Sequence, residues 1–432
     1  MKLLILGINF APEMISTGLY TTGLAEAMAE AGDQVSVVTA QPYFPAWKVF
    51  PGHSRFFWSR GELPSGVRYI RCPHYVPAKP TGARRILHHA SFALTSFPVL
   101  AWKALIGRPD MVLVIAPALL PAPFAWALAR LSGAKCWLHV QDFEVEAAFA
   151  TGLLKPASLA GRLARKFDRW IHRRFDRVST ISGPMLRKLS EKGLPPGRIF
   201  ELRNWARLDD VTPLTGPSPY REEFGITEEH VLLYSGNIAN KQGLEILPDV
   251  AQRLAHRKDL RFVICGQGPF LDELKTLSSG LDNISFFPLQ PLERLGDLLG
   301  LASLHLLPQI AGVSESVLPS KLTNMLASGR PVLATAEPGT ALADEIADCG
   351  SVTPPGDAAA LAEAISAMLD NPEQREACGL AARARALEHW DNKRILERFR
   401  LAAHDLTGQP QPIAHPAAKA TEASLIKRTR QT

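Results

Sequence analysis

Lys2-Leu3-Leu4-Ile5-Leu6-Gly7, followed by Ile8-Asn9-Phe10-Ala11-Pro12-Glu13-Met14-Ile15-Ser16-Thr17-Gly18, opens the chain and decides how it is read. A short apolar run closed by glycine is a buried strand, and the segment from about Leu19 to Ala31 suits a helix. The run is too short for the core of an export signal, has a single basic residue, and meets no A-x-A site soon after. The loop between strand and helix falls at the carboxyl edge of a sheet, where open α/β folds bind ligands and a helix amino terminus meets an anion. It is not G-x-G-x-x-G, which removes the main support for a nicotinamide dehydrogenase. Gly18 allows a backbone amide close to a phosphate, and Thr17 beside it is a candidate for orienting an acceptor.

The same unit recurs. Further candidate strands are Gln34–Thr39, Val67–Arg71, Met111–Ile115, Lys135–His139 and Arg177–Ile181, then His230–Ser235, Arg261–Cys265, Ile284–Phe287, Leu304–Leu307, Pro331–Ala334 and Gly350–Val352. Helix-length segments separate them, so the fold class is α/β with two Rossmann-like, doubly wound parallel sheets. A chain of 432 residues, 46% apolar and 21% charged, has enough apolar surface for two cores. Proline and glycine crowd between Leu208 and Tyr220, placing domains over 1–208 and 220–385. A stripe of Leu380, Ala384, Leu387, Trp390, Ile395, Leu396 and Phe399 implies a helix over 386–405 that crosses back to the first domain. Residues 408–432 read as a disordered tail.

Met111 to Ala129 matches a membrane span in length and carries no charge, but Pro117, Pro121 and Pro123 suit a strand, a loop and a helix instead. Five scattered cysteines without a C-x-x-C pair favour neither disulfides nor zinc and fit a reducing cytoplasm. No metal and no cofactor is expected. The net charge of +6 hides a basic half: residues 1–210 hold 27 Lys/Arg against 15 Asp/Glu, so the remainder is net negative. Different partners for the two halves are expected.

Four stretches carry candidate chemistry. His139-Val140-Gln141-Asp142-Phe143-Glu144 ends a strand, placing an imidazole that can bond a sugar hydroxyl beside Asp142 and Glu144, which can orient or deprotonate an acceptor. Capping of the next helix is the competing structural role for Asp142, with the functional one favoured. Tyr234-Ser235-Gly236-Asn237-Ile238-Ala239-Asn240-Lys241-Gln242-Gly243 sets Lys241 beside a helix starting near Gly243, an arrangement suited to a diphosphate. Val263 to Pro269, with Gly266, reads as a turn. In Pro319-Ser320-Lys321-Leu322-Thr323-Asn324, Ser320 suits a helix cap and Lys321 then sits in the first turn, where a cation is disfavoured unless an anion is present.

With these residues the chain resembles the family-4 retaining glycosyltransferases of the GT-B fold, and more narrowly the WcaI-like branch of colanic acid and exopolysaccharide synthesis. The motifs agree in order: FAPEMISTG at 10–18, HVQDFEVEA at 139–147, VSTISGPM at 178–185, RNWAR at 203–207, YSGNIANKQGLE at 234–245 and VLPSKLTNMLASGRPV at 317–332. The resemblance implies a nucleotide-sugar donor, GDP-fucose or a UDP-sugar, bound by the second domain, an acceptor bound by the first, and a cleft between them. The family's E-x7-E pair is absent: its positions are Ser316 and Asn324, with Glu315 one residue off as the substitute. Asn237 stands where many members have arginine, which leaves Lys241 and Lys321 to neutralise the diphosphate. By this resemblance His139, Asp142, Lys241, Lys321 and Glu315 are catalytic. Gly18, Gly236, Asn237, Gly243, Gly266, Ser320 and Asn324 bind the donor, while Glu144 and Thr17 serve the acceptor.

An exopolysaccharide acceptor would be carried on a polyprenyl diphosphate, which implies contact with the inner leaflet of the cytoplasmic membrane. Residues 84–102, behind Arg84 and Arg85, and residues 162–177, with six Lys/Arg among Leu163, Phe167 and Trp170 before Arg177, are candidate membrane faces; a domain helix with a solvated face is the plainer alternative for each. Two rival functions share the architecture, a non-hydrolysing nucleotide-sugar epimerase and a non-catalytic nucleotide-sugar-binding subunit. No nucleic-acid motif accompanies the basic residues, and no nucleic-acid partner is expected.

Overall fold

The computed structural model describes residues 1–13, 16–150, 153–206, 208–239, 242–311 and 318–410. The tail read above as disordered lies outside them from residue 411. One sheet has eight strands: β1 Lys2–Gly7, β2 Gln34–Ala40, β3 Ser59–Glu62, β4 Arg68–Cys72, β5 Met111–Ala116, β6 Lys135–Val140, β7 Arg177–Thr180 and β8 Ile199–Glu201. Their order is β3-β4-β2-β1-β5-β6-β7-β8, with β1 parallel to β2 and β5. All six residues of β5 are buried, as expected of a strand covered on both faces. The other sheet holds β9 His230–Asn237, β10 Leu260–Gln267, β11 Ile284–Phe287, β12 Leu304–Leu307, β13 Val332–Thr335 and β14 Gly350–Thr353, all parallel, in the order β11-β10-β9-β12-β13-β14.

The helices are α1 Ser16–Glu30, α2 Gly82–Leu105, α3 Ala122–Ser132, α4 Glu144–Ala150, α5 Leu159–His172, α6 Gly183–Glu191, α7 Tyr220–Glu223, α8 Leu247–Arg253, α9 Leu271–Leu277, α10 Leu295–Gly300, α11 Ser320–Ala327, α12 Ala341–Ile346, α13 Ala358–Leu369, α14 Pro372–His389 and α15 Asn392–Thr407. The strand order reverses between β1 and β5 in one sheet and between β9 and β12 in the other. In each sheet the loops leaving those strands are where such folds take ligands.

The chain forms two compact units, Met1–Ser179 with the residues from Leu396, and Thr180–Ile395. By contacts, the residues at 208–220 group with the second unit. Leu208, Val211 and Tyr220 are buried in the second unit's core, and the Ser218 hydroxyl donates to the Asp297 carbonyl, so the prolines there bend the chain over a core instead of freeing it. The carboxy-terminal stripe is also corrected. It is two helices, and Leu380 and Leu387 of α14 face solvent while Cys378, Gly379, Ala382 and Ala386 turn inward. A Cβ at Gly379 would lie 2.6 Å from the Gly329 carbonyl oxygen, so only small residues fit that contact. Beyond Leu396, the ring of Phe399 packs 4.9 Å from Trp137, and His404 Nε2 lies 3.1 Å from Asp33, which also pairs with the Met1 amino group.

Met111 to Ala129 is β5, a loop and most of α3; among the described residues no helix is long and apolar enough to cross a membrane. Two strands escaped the sequence reading. β3 is polar and on an edge, and β8 is only three residues long.

Burial holds four histidines neutral: His74, His139 and His305 are pushed down to about 3 and His88 to about 4. Each unfolded chain takes up protons below pH 6.5 that the fold refuses, so stability falls as pH drops from about 6.5 towards 4. The slope is about 1.4 kcal/mol per pH unit per histidine. Denaturant titrations at stepped pH should show the first unit, with three of the four, losing stability faster than the second.

Candidate active site

Glu13, which the sequence reading passed over, ties the β1 loop to the β2 loop. Its buried carboxylate accepts from Asn9 Nδ2 (2.9 Å) and the Phe10 amide (3.3 Å) on one oxygen, and from the amides of Tyr43 (2.8 Å) and Phe44 (2.7 Å) on the other. Burial raises its pKa against the pull of those donors. Gly18 serves that tie: a Cβ there would sit 2.7 Å from the Glu13 carbonyl oxygen, so its lack of a side chain is needed for packing within the chain. Thr17 is buried in the first turn of α1, and its carbonyl accepts from the Thr21 hydroxyl. Glu13 lies inside FAPEMISTG, but the Tyr43 and Phe44 amides that tie it to the β2 loop are 30 and 31 residues away, so local spacing gave no signal.

His139 is the penultimate residue of β6, opposite Ile115 of β5, buried, with Nδ1 2.9 Å from the Ser179 hydroxyl that also accepts from Trp137 Nε1. Its depressed pKa makes it a neutral hydrogen-bonding group at pH 7. Glu144 is not free to orient an acceptor. One oxygen accepts from the Ala118 and Leu119 amides at 2.6 Å each, and the other lies 3.2 Å from His89 Nδ1. Burial would raise its pKa, but His89 and those amides outweigh it and hold the carboxyl below its ordinary value. Asp142 stays open to solvent; the crowding of protein around it and the Glu144 charge push its carboxyl up.

Beside these lies a ring cluster, also unforeseen. Tyr43, His74 and His88 stand 4.6 to 5.1 Å apart, with Trp47 5.4 Å from both Tyr43 and His88. His88 Nδ1 meets the Tyr75 carbonyl, while its Nε2 is buried without a partner.

In the second unit, Lys321 lies in the first turn of α11 with Nζ 4.1 Å from the centre of the Tyr234 ring, donating to the Tyr234 hydroxyl, which itself donates to the Asn237 carbonyl (2.6 Å). Burial pushes its pKa down to about 8. No carboxylate of the described residues pairs with it. Gly236, at φ +127°, is what lets it lie there: a Cβ would fall 2.5 Å from Lys321 Cε. The neighbouring strand end is equally close, since a Cβ on Gly266 would meet the Gly236 carbonyl oxygen at 1.9 Å; β10 runs through Gly266 to Gln267, so the turn read at 263–269 begins later. Gly243, at φ +68°, abuts Gln309 after β12, with 2.8 Å from its would-be Cβ to the Gln309 carbonyl carbon.

Two local expectations are corrected. The helix placed near Gly243 begins at Leu247, after a 3₁₀ turn over Leu244–Ile246 that Pro248 in the following turn suits. Ser320 is the first residue of α11, and Pro319, which has no side-chain donor or acceptor, holds the cap position. Asn324 is half-buried on the same helix, and Asn237 is exposed. Lys241 and Glu315 lie outside the described residues. No group of three or more His, Cys, Asp or Glu among the described residues is placed to hold a metal.

Two family models match the chain, "Glycosyl transferase 4-like domain" over residues 17–205 and "Glycosyl transferases group 1" over residues 218–385. The glycosyl transferase WcaI of Escherichia coli K12, whose name assigns it to colanic acid biosynthesis, is 40% identical over 352 residues, 79% of this chain and 85% of that one. Among solved structures, sucrose-phosphate synthase of Thermosynechococcus elongatus aligns with a TM-score of 0.69 at 17% identity, over 94% of this chain and 99% of that one. The Anabaena protein Alr3699/HepE in complex with UDP aligns with 0.60 at 15% identity, over 92% and 98%. The chain is a glycosyltransferase of the GT-B fold and belongs to this group 1, family-4-like family.

Two outcomes follow. Filling the Lys321 site with an anion restores its ordinary basicity, so affinity for a nucleoside diphosphate should fall by up to about tenfold per pH unit above pH 8, read by calorimetry between pH 7 and 9.5. Glu13→Gln turns one accepting oxygen into a donor facing Asn9 and Phe10, and should cost about 2 kcal/mol in denaturant titration.

Proposed function

We propose that the protein transfers a sugar, with retention, from a nucleoside-diphosphate sugar to a lipid-linked saccharide in colanic-acid-like exopolysaccharide synthesis, at the cytoplasmic face of the membrane. The observation that carries the donor half is Lys321, a half-buried cation over Gly236 and Tyr234 with no carboxylate partner among the described residues, in the first turn of α11. A diphosphate supplies the missing charge at the positive end of that helix. As the bond from the anomeric carbon to the diphosphate oxygen breaks, the sugar becomes oxocarbenium-like and negative charge gathers on the leaving group. Lys321 and, on sequence grounds, Lys241 stabilise that charge without a metal. The acceptor oxygen then bonds to the anomeric carbon on the face the diphosphate leaves, and its proton passes to a phosphate oxygen. Glu13 and Glu144 are already committed to amides, so among the strand-end carboxylates described in the first unit Asp142 is the one left to steer an acceptor hydroxyl, with neutral His139 as a bonding partner.

Supporting a membrane acceptor are the two basic, aromatic segments. In α2, Ile86, Leu87, Leu94 and Trp102 are exposed although Phe92 and Leu100 are buried, so the helix is apolar on two faces. On α5 and its continuation, Arg162, Arg165, Lys166, Arg169, Arg173 and Arg174 line a concave surface of about 750 Å³, and Arg174 stacks on Trp126 and Trp170. Among the described residues no acidic side chain lines it.

A thermal-shift screen against GDP, UDP and their sugars tests the donor half. The cognate nucleotide at 100 times its dissociation constant should stabilise by about 2.7 kcal/mol, and Lys321→Ala should abolish the shift; an unchanged shift would remove the lysine from the site. Conversion of a free nucleotide sugar to its epimer without acceptor would favour the epimerase instead.

A further inference from the structure

Every exposed aromatic side chain among the described residues belongs to the first unit, and the two most exposed are adjacent: Phe56 at 77% and Phe57 at 71%, followed by Trp58 at 49%. They sit in Arg55-Phe56-Phe57-Trp58-Ser59-Arg60, just before and into β3, a segment that the sequence reading left unassigned. Exposed rings on a loose loop would fold onto the nearest apolar surface. These are held out by polar bonds instead. The Ser54 hydroxyl accepts from the amides of Phe56 (3.2 Å) and Phe57 (3.1 Å), and the side chain of Gln41, itself fully buried, donates to the Phe57 carbonyl (2.9 Å). Trp58 Nε1 donates to the Thr95 carbonyl of α2 (3.1 Å), which joins the aromatic tip to the helix that exposes Leu94 and Phe97.

The charge around the tip selects its partner. From Gln34 to Pro109 the chain holds ten Lys/Arg and a single carboxylate, Glu62, and Arg55 and Arg60 flank the rings directly. A rigid aromatic point inside a cationic field matches an anionic bilayer, whose headgroups meet the arginines while the rings enter the acyl boundary. A water-facing role would leave two phenyl rings exposed at a standing hydrophobic cost.

We propose that Phe56 and Phe57 are a bilayer-inserting tip, the element that turns electrostatic adsorption of the first unit into anchored docking on anionic phospholipid. The proposal rests on the membrane reading above and goes beyond segments 84–102 and 162–177. It is tested with the full chain, the Phe56→Ser/Phe57→Ser double variant, and vesicles of phosphatidylcholine and phosphatidylglycerol, sedimented at low salt and at about 0.5 M salt, where surface attraction is screened. The parent should remain bound at both. The double variant should keep low-salt binding and its nucleotide-induced thermal shift, yet lose at least about tenfold in partition at high salt. Equal binding of parent and variant at both salts overturns the tip while leaving the membrane reading standing. A parent that binds these vesicles at neither salt overturns both. If light scattering without lipid finds a dimeric parent and a monomeric double variant, the rings face a second copy and the proposal also fails.

Discussion

An ammonium group laid on an aromatic ring, half out of water and without a neighbouring carboxylate among the described residues, is expensive to maintain, and the second unit is arranged around Lys321 on those terms. Gly236 has no side chain because the lysine stem occupies that space, and Gly266 has none because the Gly236 carbonyl does. Tyr234 supplies both the ring face and a hydroxyl that passes the hydrogen bond on to the Asn237 carbonyl. Lys321 lies in the first turn of α11, at the positive end of that helix. Each choice is costly by itself, and a bound diphosphate, as proposed above, would make them favourable together.

The first unit uses its carboxylates in the opposite manner. Glu13 and Glu144 are saturated by amides and, in the second case, by His89, so they fix the loops that leave β1, β2 and β5 and are removed from proton transfer. His74, His88 and His139 are kept neutral by burial. A set of strand-end loops held by such internal bonds positions hydroxyl-bonding groups without presenting a strong base, which suits chemistry in which the departing phosphate collects the proton.

Much of the fold was legible because parallel strands buried on both faces leave unmistakable apolar runs, as Met111–Ile115 shows plainly. The expected strands all exist, with ends shifted by at most two residues. What escaped has physical causes. β3 is Ser-Arg-Gly-Glu, an edge strand with nothing apolar to signal it. Leu380 and Leu387 seemed to define a buried stripe, but helix contact at Gly379 demands small residues, so the leucines turn outward. Of the site, Lys321 was readable because a lysine in a first helical turn after Pro319-Ser320 is a local oddity, and Gly236 because it closes a strand and opens a loop. The Glu13 tie to Tyr43, the packing of Tyr43 on His74 and His88, and the Trp58 bond to Thr95 each join residues 30 or more apart, and no local spacing could reveal them.

The central claim is that Lys321 is a partly neutral cation awaiting a diphosphate. Proton uptake measures this directly: nucleotide binding is followed by calorimetry at pH 8 in buffers of differing ionisation enthalpy. With the free lysine at about 8 and its bound form fully charged, binding should take up about half a proton, and Lys321→Arg, always charged, should take up none. Binding heats that are independent of buffer in the parent protein would contradict the account.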